Sequence, residues 1–143
     1  MLALEVGEPG TGFPSVFARE RDSFFGSADP ADTLVADMDA VVVGYASLTH
    51  PTPLPENAHV TSIEGFTVVP TWRRRGVGRA LLETAVEVAR RRGSRKVSLR
   101  VLSTNTPARA LYETCGFGVE GVLREEFVID GSPVDDILMA RTL

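Results

Sequence analysis

Hydrophobic and polar positions alternate in several short runs, which predicts a chain built mainly of β-strands. The clearest run is 96–102, where Val97, Leu99 and Val101 are separated by polar residues. This period of two is typical of a strand that buries one face. The same reasoning, together with turn residues between the runs, predicts a short strand in the first thirty residues and further strands at 33–37, 41–48, 60–69, 118–129 and 134–141.

A helical period replaces the alternation in three places. Residues 76–92 place their apolar positions on one face and end in arginines followed by Gly93, as expected for an amphipathic helix with a left-handed cap. Residues 106–115 form a short predicted helix, with Thr106-Pro107 as its cap and first residue and Gly116 at its close. A further helix is predicted near 14–25.

The order of these elements predicts one domain spanning residues 1–143. Strands dominate, and a strand–helix–strand–helix section occupies the second half of the chain. The expected fold is α/β (α+β), with a single mixed, mostly antiparallel central sheet of six to seven strands flanked by about four helices. A loop at 50–57 that contains three prolines is a candidate wall of the substrate cleft.

Composition narrows the classes of function. Hydrophobic residues make up 43% of the chain and no apolar run is long enough to cross a bilayer. A single cysteine, Cys115, and the lack of a signal-like start favour a cytoplasmic protein. The net charge of −4 argues against nucleic acid and anionic membranes as partners. Two histidines and one cysteine without ligand spacing predict no metal site.

One segment, Arg73-Arg74-Arg75-Gly76-Val77-Gly78-Arg79, carries a dense cluster of positive charge between a predicted strand and a predicted helix. The first N–H groups of a helix lack internal partners and point outward, and glycine lets an anion approach them closely. Arginine side chains add charge and grip phosphate with paired hydrogen bonds. The segment therefore predicts an anion site. It lacks the Gly-Lys-Ser/Thr of a P-loop, and Leu81 stands where a dinucleotide fingerprint needs a small residue.

The pattern Arg73-x-x-Gly76-x-Gly78 resembles the cofactor loop of the GNAT-type N-acetyltransferase superfamily. Downstream, Asn105 and then Ala110-Leu111-Tyr112-Glu113 with Gly116-Phe117 resemble the second signature of that family. The resemblance covers residues 62–117 and extends into the closing segment. It implies the GNAT fold and acetyl-CoA as co-substrate.

The resemblance also implies roles for individual residues. The pyrophosphate of acetyl-CoA would be bound by the loop, and the pantetheine arm would run beside the preceding strand near a bulge. Tyr112 would be the general acid that protonates the leaving thiolate, and a backbone N–H near Val68 would stabilise the oxyanion. The implied cofactor-binding residues are Phe66, Thr67, Val68, Arg73, Arg74, Arg75, Gly76, Val77, Gly78, Arg79 and Asn105.

The resemblance does not imply a single general base. Some relatives carry a glutamate at the position of Arg100, and another subgroup carries one at the position of Ser62. Glu64 shares the strand parity of Ser62, so it is the candidate base. A water relay to a backbone carbonyl is the alternative.

The sequence thus predicts an N-acetyltransferase that moves an acetyl group from acetyl-CoA to the primary amine of a small molecule, an amino acid or a protein N-terminus. A non-catalytic acyl-CoA-binding sensor or regulatory module is the alternative, and a nucleotide-binding fold is a third option. Pairing of exposed edge strands would give a homodimer. Cys115, which has no evident histidine partner, is expected to be inert.

Overall fold

The computed structural model describes residues 3–4, 15–18 and 32–143. The helices are α1 (Val77–Arg91) and α2 (Thr106–Thr114), and single 3₁₀ turns occupy Pro55–Asn57 and Pro70–Trp72. The strands are β1 (Ala3–Leu4), β2 (Ser15–Ala18), β3 (Thr33–Met38), β4 (Val41–Thr49), β5 (Val60–Val68), β6 (Lys96–Leu102), β7 (Gly118–Ile129) and β8 (Ser132–Thr142).

All eight described strands form one sheet in the order β1-β2-β3-β4-β5-β6-β8-β7. Neighbouring described strands are antiparallel except β5 and β6, which run parallel and are joined by α1. The prediction of one mixed, mostly antiparallel sheet is therefore confirmed. The numbers differ from the prediction, because the described residues contain eight strands rather than six to seven and two α-helices rather than about four.

The predicted helix near 14–25 is wrong where the structure describes it. Ser15–Ala18 is a strand that pairs antiparallel with β3, with Val16 opposite Ala36. Sheet pairing with a buried neighbouring strand outweighs a weak local preference for helix. The rest of the predicted helix lies outside the described residues.

Helix α1 covers one face of the sheet because its apolar positions form a single stripe. Leu81, Leu82 and Ala85 are fully buried and share one core with Ile63 and Leu99 of the two parallel strands. Arg90 and Arg91, at the helix end, bond to Glu87 of the preceding turn. No helix of the described chain combines the length and apolar character needed to cross a membrane.

The two parallel strands separate after a short paired section. Three pairs join them, ending at Ser62 opposite Ser98, and no pairing follows in the described sheet. Ile63 and Leu99 point into the core under α1, so the alternating residues Glu64 and Arg100 lie on the opposite face. The strands thus diverge just before Glu64 and Arg100.

The other edge of β5 contains a β-bulge. Tyr45 and Ser47 of β4 lie two residues apart, but their partners Thr67 and Glu64 are three residues apart. Gly65 has φ +61°, a left-handed conformation that glycine adopts without strain. The structure thus contains the bulge that the family resemblance implied beside Phe66, Thr67 and Val68.

Candidate active site

A cleft of about 400 Å³ lies between β5 and β6 where the two strands diverge. Four of the predicted site residues line it together, although they come from three separate elements. Glu64 and Phe66 come from β5, Asn105 precedes α2, and Tyr112 lies within α2. The remaining lining residues are Ser62, Ile63, Gly65, Leu99, Arg100, Val101 and Leu102.

The N-terminus of α1 has the backbone geometry of an anion site. Gly76 is its N-cap with φ +84°, and no side chain caps the helix there. The first intrahelical bond in this turn runs from the N–H of Ala80 to the carbonyl of Gly76, which leaves the three preceding N–H groups free for an anion. A Cβ on Gly78 would meet Leu111 Cδ2 at 3.0 Å. Glycine at 78 thus lets α1 approach α2 closely beside this site.

Arg73 ties the loop to the end of β5. Its Nε donates to the carbonyl oxygen of Val68 at 3.2 Å, so one side of its guanidinium is engaged within the protein. Arg74 has φ +60° and an exposed side chain. A left-handed residue close before a helix directs successive N–H groups inward, as in anion-binding nests. Of these two arginines, Arg74 has the freer guanidinium for a phosphate.

The other two arginines of the loop, Arg75 and Arg79, each contact a neighbouring side chain. The guanidinium carbon of Arg75 lies 4.9 Å from the centroid of the Trp72 ring, a cation–π contact. Arg79 Nε bonds Glu83 Oε1 at 3.1 Å one turn along α1. Because the Arg79–Glu83 pair is exposed, it contributes little to stability. All four predicted arginines thus remain at the surface around the N-terminus of α1.

The backbone N–H of Val68 points toward the open side of β5. The N–H of Val69 donates to Val43 of β4 at 2.8 Å, and Val68 lies opposite Gly44. Because N–H directions alternate along a strand, that of Val68 faces away from β4. On that side β6 no longer pairs with β5 in the described sheet. This N–H is therefore not used in strand pairing on the side where β5 and β6 diverge.

Tyr112 is enclosed by aromatic rings at the wall of the cleft. Its side chain is 6% exposed and meets Phe66 edge-on at 5.8 Å and Phe117 at 6.3 Å between ring centroids. Burial raises the pKa of Tyr112 to about 12. The hydroxyl therefore stays protonated well above neutral pH and is available there as a proton donor.

Asn105 has a structural role as well as a place in the cleft. It is the N-cap of α2, and its Oδ1 accepts a hydrogen bond from the N–H of Ala108 at 3.3 Å. The predicted cap, Thr106, is instead the first residue of the helix. An asparagine side chain caps as well as threonine does, so the helix starts one residue earlier than predicted, at Thr106 instead of Pro107.

Glu64 and Arg100 are both exposed and both line the cleft. Arg100 Nη1 lies 3.3 Å from Oδ2 of Asp136 on the neighbouring strand β8. This pair was not predicted from the sequence. No local pattern reveals it, because the contact depends on the pairing of β6 with β8, in which Leu102 and Asp136 are register partners.

The proline loop does not line this cleft. The proline loop, predicted to line the substrate cleft, instead lines a separate cavity of about 490 Å³ beside the ion pair of Asp32 and Arg92. This cavity adjoins the start of β5, whereas the cleft opens further along that strand.

Cys115, expected to be inert, is buried, and burial raises the pKa of its thiol, which makes the thiolate scarce.

Comparison with known proteins shows the family to which the chain belongs. Residues 4–117 match the model of the Acetyltransferase (GNAT) family. An alanine N-acetyltransferase of ribosomal protein bS18 from Escherichia coli is 37% identical over 75 residues, which cover 52% of this chain and 51% of that protein. The chain thus spans about half the length of this curated relative. The L-amino acid N-acetyltransferase AaaT of Escherichia coli is 34% identical over 76% of this chain and 66% of its own length.

A solved structure shares the fold and includes a bound cofactor. The yncA protein of Salmonella typhimurium, solved with its cofactor acetyl-CoA, superposes with a TM-score of 0.72. It is 27% identical to this chain, and the match covers 78% of this chain and 64% of that one.

Proposed function

Because the chain belongs to the GNAT acetyltransferase family, we propose that it transfers the acetyl group of acetyl-CoA to a primary amine. The single observation that carries the proposal is the cleft between the diverging strands β5 and β6. It places a phenol donor, Tyr112, beside the strand that leads to the anion site at the start of α1. A cofactor whose long arm joins a pyrophosphate to a thioester fits this arrangement.

The proposed cofactor contacts follow from the free donors of the site. The pyrophosphate would accept bonds from the first N–H groups of α1, which no side chain caps. Arg74 and the other loop arginines would add charge. The pantetheine arm would follow the unpaired side of β5 at Phe66, Thr67 and Val68, and Asn105 would flank it across the cleft.

The proposed reaction needs no enzyme nucleophile. The amine nitrogen attacks the thioester carbonyl, and a carbon–nitrogen bond forms while the carbonyl oxygen becomes an oxyanion. The N–H of Val68, on the unpaired side of β5, would stabilise that charge. Collapse breaks the carbon–sulfur bond, and Tyr112 donates to the leaving thiolate. Glu64, or a water that it holds, takes one proton from the ammonium before the attack. The nitrogen loses a second proton as the intermediate collapses, and this proton restores the hydroxyl of Tyr112.

We expect the Glu64→Gln substitution to lower turnover by about tenfold at neutral pH. The amide cannot take the proton of the ammonium, so the reaction would rely on the small fraction of amine that is already neutral. That fraction grows as pH rises, and the deficit should therefore shrink in alkaline buffer. Initial rates measured across pH for the wild type and the variant test this expectation.

Glu56→Gln provides the matched control, since Glu56 is an exposed carboxylate in the 3₁₀ turn Pro55–Asn57 away from the cleft. It should leave the profile unchanged. If Glu64→Gln and Glu56→Gln behave alike, Glu64 is not the base and the water relay to a backbone carbonyl is favoured.

The identity of the donor can be tested by ligand stabilisation. Acetyl-CoA and CoA should raise the melting temperature, because a ligand that binds only the folded state stabilises it by mass action. ATP and NAD should not, since the loop lacks the features that bind them. Equal protection by ATP would support a nucleotide-binding protein and remove acetyl-CoA from the proposal.

We also propose a cytoplasmic location and a homodimer for the protein. A lone buried cysteine, Cys115, suits the reducing cytoplasm. The edge strand β7 carries exposed apolar residues, including Val122 and Phe127, which suits pairing with a second copy. The acidic net charge of −4 gives no support to nucleic acid or an anionic membrane as partner.

A further inference from the structure

The acceptor side of the cleft contains one negative and one positive side chain on the same face of the sheet. Ser62 and Ser98 are register partners, so two residues further on Glu64 and Arg100 face the same way from diverging strands. Paired strands lie about 4.8 Å apart, and the gap widens beyond the last pair. Among the described ion pairs, Arg100 binds Asp136 and not Glu64. A small ligand therefore has room between the two charges.

Arg100 forms an ion pair with the buried carboxylate of Asp136. Asp136 is 2% exposed, and its Oδ2 has no hydrogen-bond partner of good geometry in the described structure. The guanidinium Nη1 at 3.3 Å is its counter-charge. A buried carboxylate is strongly destabilising unless a cation compensates it. The ion pair with Asp136 thus positions Arg100 and leaves most of the N–H donors of Arg100 unused.

The free part of Arg100 points to an anionic ligand. A guanidinium has five N–H donors in a planar fork that matches a carboxylate. The Arg100 side chain is 61% exposed and lines the cleft, so donors remain available there. A positive charge at this point would repel a bare ammonium group, whereas a carboxylate next to the amine would remove that penalty.

We propose that Arg100 is a specificity-determining residue that binds the carboxylate of the acceptor, which makes the acceptor a free α-amino acid rather than a peptide N-terminus. The inference rests on the proposed acetyl transfer. In this arrangement the zwitterion spans the cleft with its ammonium toward Glu64 and its carboxylate on Arg100. Asp136 acts as a positioning residue for Arg100.

The test compares a panel of L-α-amino acids, each beside its own α-carboxamide, as acceptors for the wild type and Arg100→Gln. The wild type should show kcat/KM at least about tenfold higher for the acids, the usual effect of one charge-assisted hydrogen bond. In Arg100→Gln this preference should fall to about one, mainly through a higher KM for the acids, while the amides change little. Arg100→Lys should restore part of it.

Arg100→Gln leaves Asp136 without its cation and lowers stability, so the double variant Arg100→Gln with Asp136→Asn provides a second arm. It removes both charges, and Asp136→Asn keeps the shape of the buried side chain, so the double variant should lose the same preference. Equal rates with acids and amides in the wild type, or a preference that survives both variants, would overturn the inference while acetyl transfer stands. Failure of every amine to release thiol would overturn acetyl transfer and the inference with it.

Discussion

Replacing Tyr112 by Phe is expected to lower turnover by about a hundredfold or more, the usual contribution of a general acid. The substitution removes only the hydroxyl, which is the donor proposed for the leaving thiolate. The ring contacts with Phe66 and Phe117 stay, because phenylalanine has the same ring. Acetyl-CoA affinity and the melting temperature should therefore change little. Steady-state kinetics, calorimetric titration of acetyl-CoA and thermal melting separate these effects.

The pH dependence of the wild type adds a second check on Tyr112. The phenol works in its protonated form, and burial raises its pKa to about 12. Its ionisation therefore removes activity only as pH approaches 12, and not between pH 9 and 10 where a free tyrosine begins to ionise. Unchanged turnover in Tyr112→Phe would remove Tyr112 from the mechanism.

Replacing Gly76 by Ala is expected to weaken acetyl-CoA binding by about tenfold to a hundredfold, the effect of losing one hydrogen bond to a charged group. Gly76 has φ +84° and an open space around its Cβ position. The cost of an alanine there comes from the backbone, which must either bear about 1–2 kcal/mol of strain or relax. Relaxation would turn the free N–H groups of α1 away from the phosphates.

Gly93→Ala is the matched control, because Gly93 stands at the other end of α1 with φ +89° and an equally open Cβ position. Both variants should lose similar stability in denaturant titrations. Only Gly76→Ala should lose acetyl-CoA affinity in calorimetry. Equal affinities in the two variants would mean that the N-terminus of α1 does not hold the cofactor.

Local patterns were enough to predict most elements of the second half of the chain. Alternation placed β6 at 96–102, and the amphipathic stripe placed α1 within one residue at each end. These patterns succeed because each element buries one face, and burial is encoded in its own residues. The segment Ser15–Ala18 was mistaken for helix because its strand depends on pairing with β3, a contact that its own residues do not encode.

The site was predictable only as separate parts. The loop 73–79 and Tyr112 could be identified from motifs, and the structure brings Glu64, Phe66, Asn105 and Tyr112 to one cleft. The divergence of β5 and β6 is a tertiary feature, since it depends on which residue pairs stop bonding after Ser62. The contact between Arg100 and Asp136 likewise depends on strand order, because β8 lies between β6 and β7.

Amine-dependent release of CoA thiol tests the central claim most directly. Acetyl-CoA is mixed with the protein and a panel of primary amines, and free thiol is followed with time while the acetylated product is identified by mass. We expect thiol release to require both an amine and the intact hydroxyl of Tyr112, with one acetylated amine formed per thiol. Tight acetyl-CoA binding without amine-dependent release would contradict catalysis and indicate a non-catalytic acyl-CoA sensor.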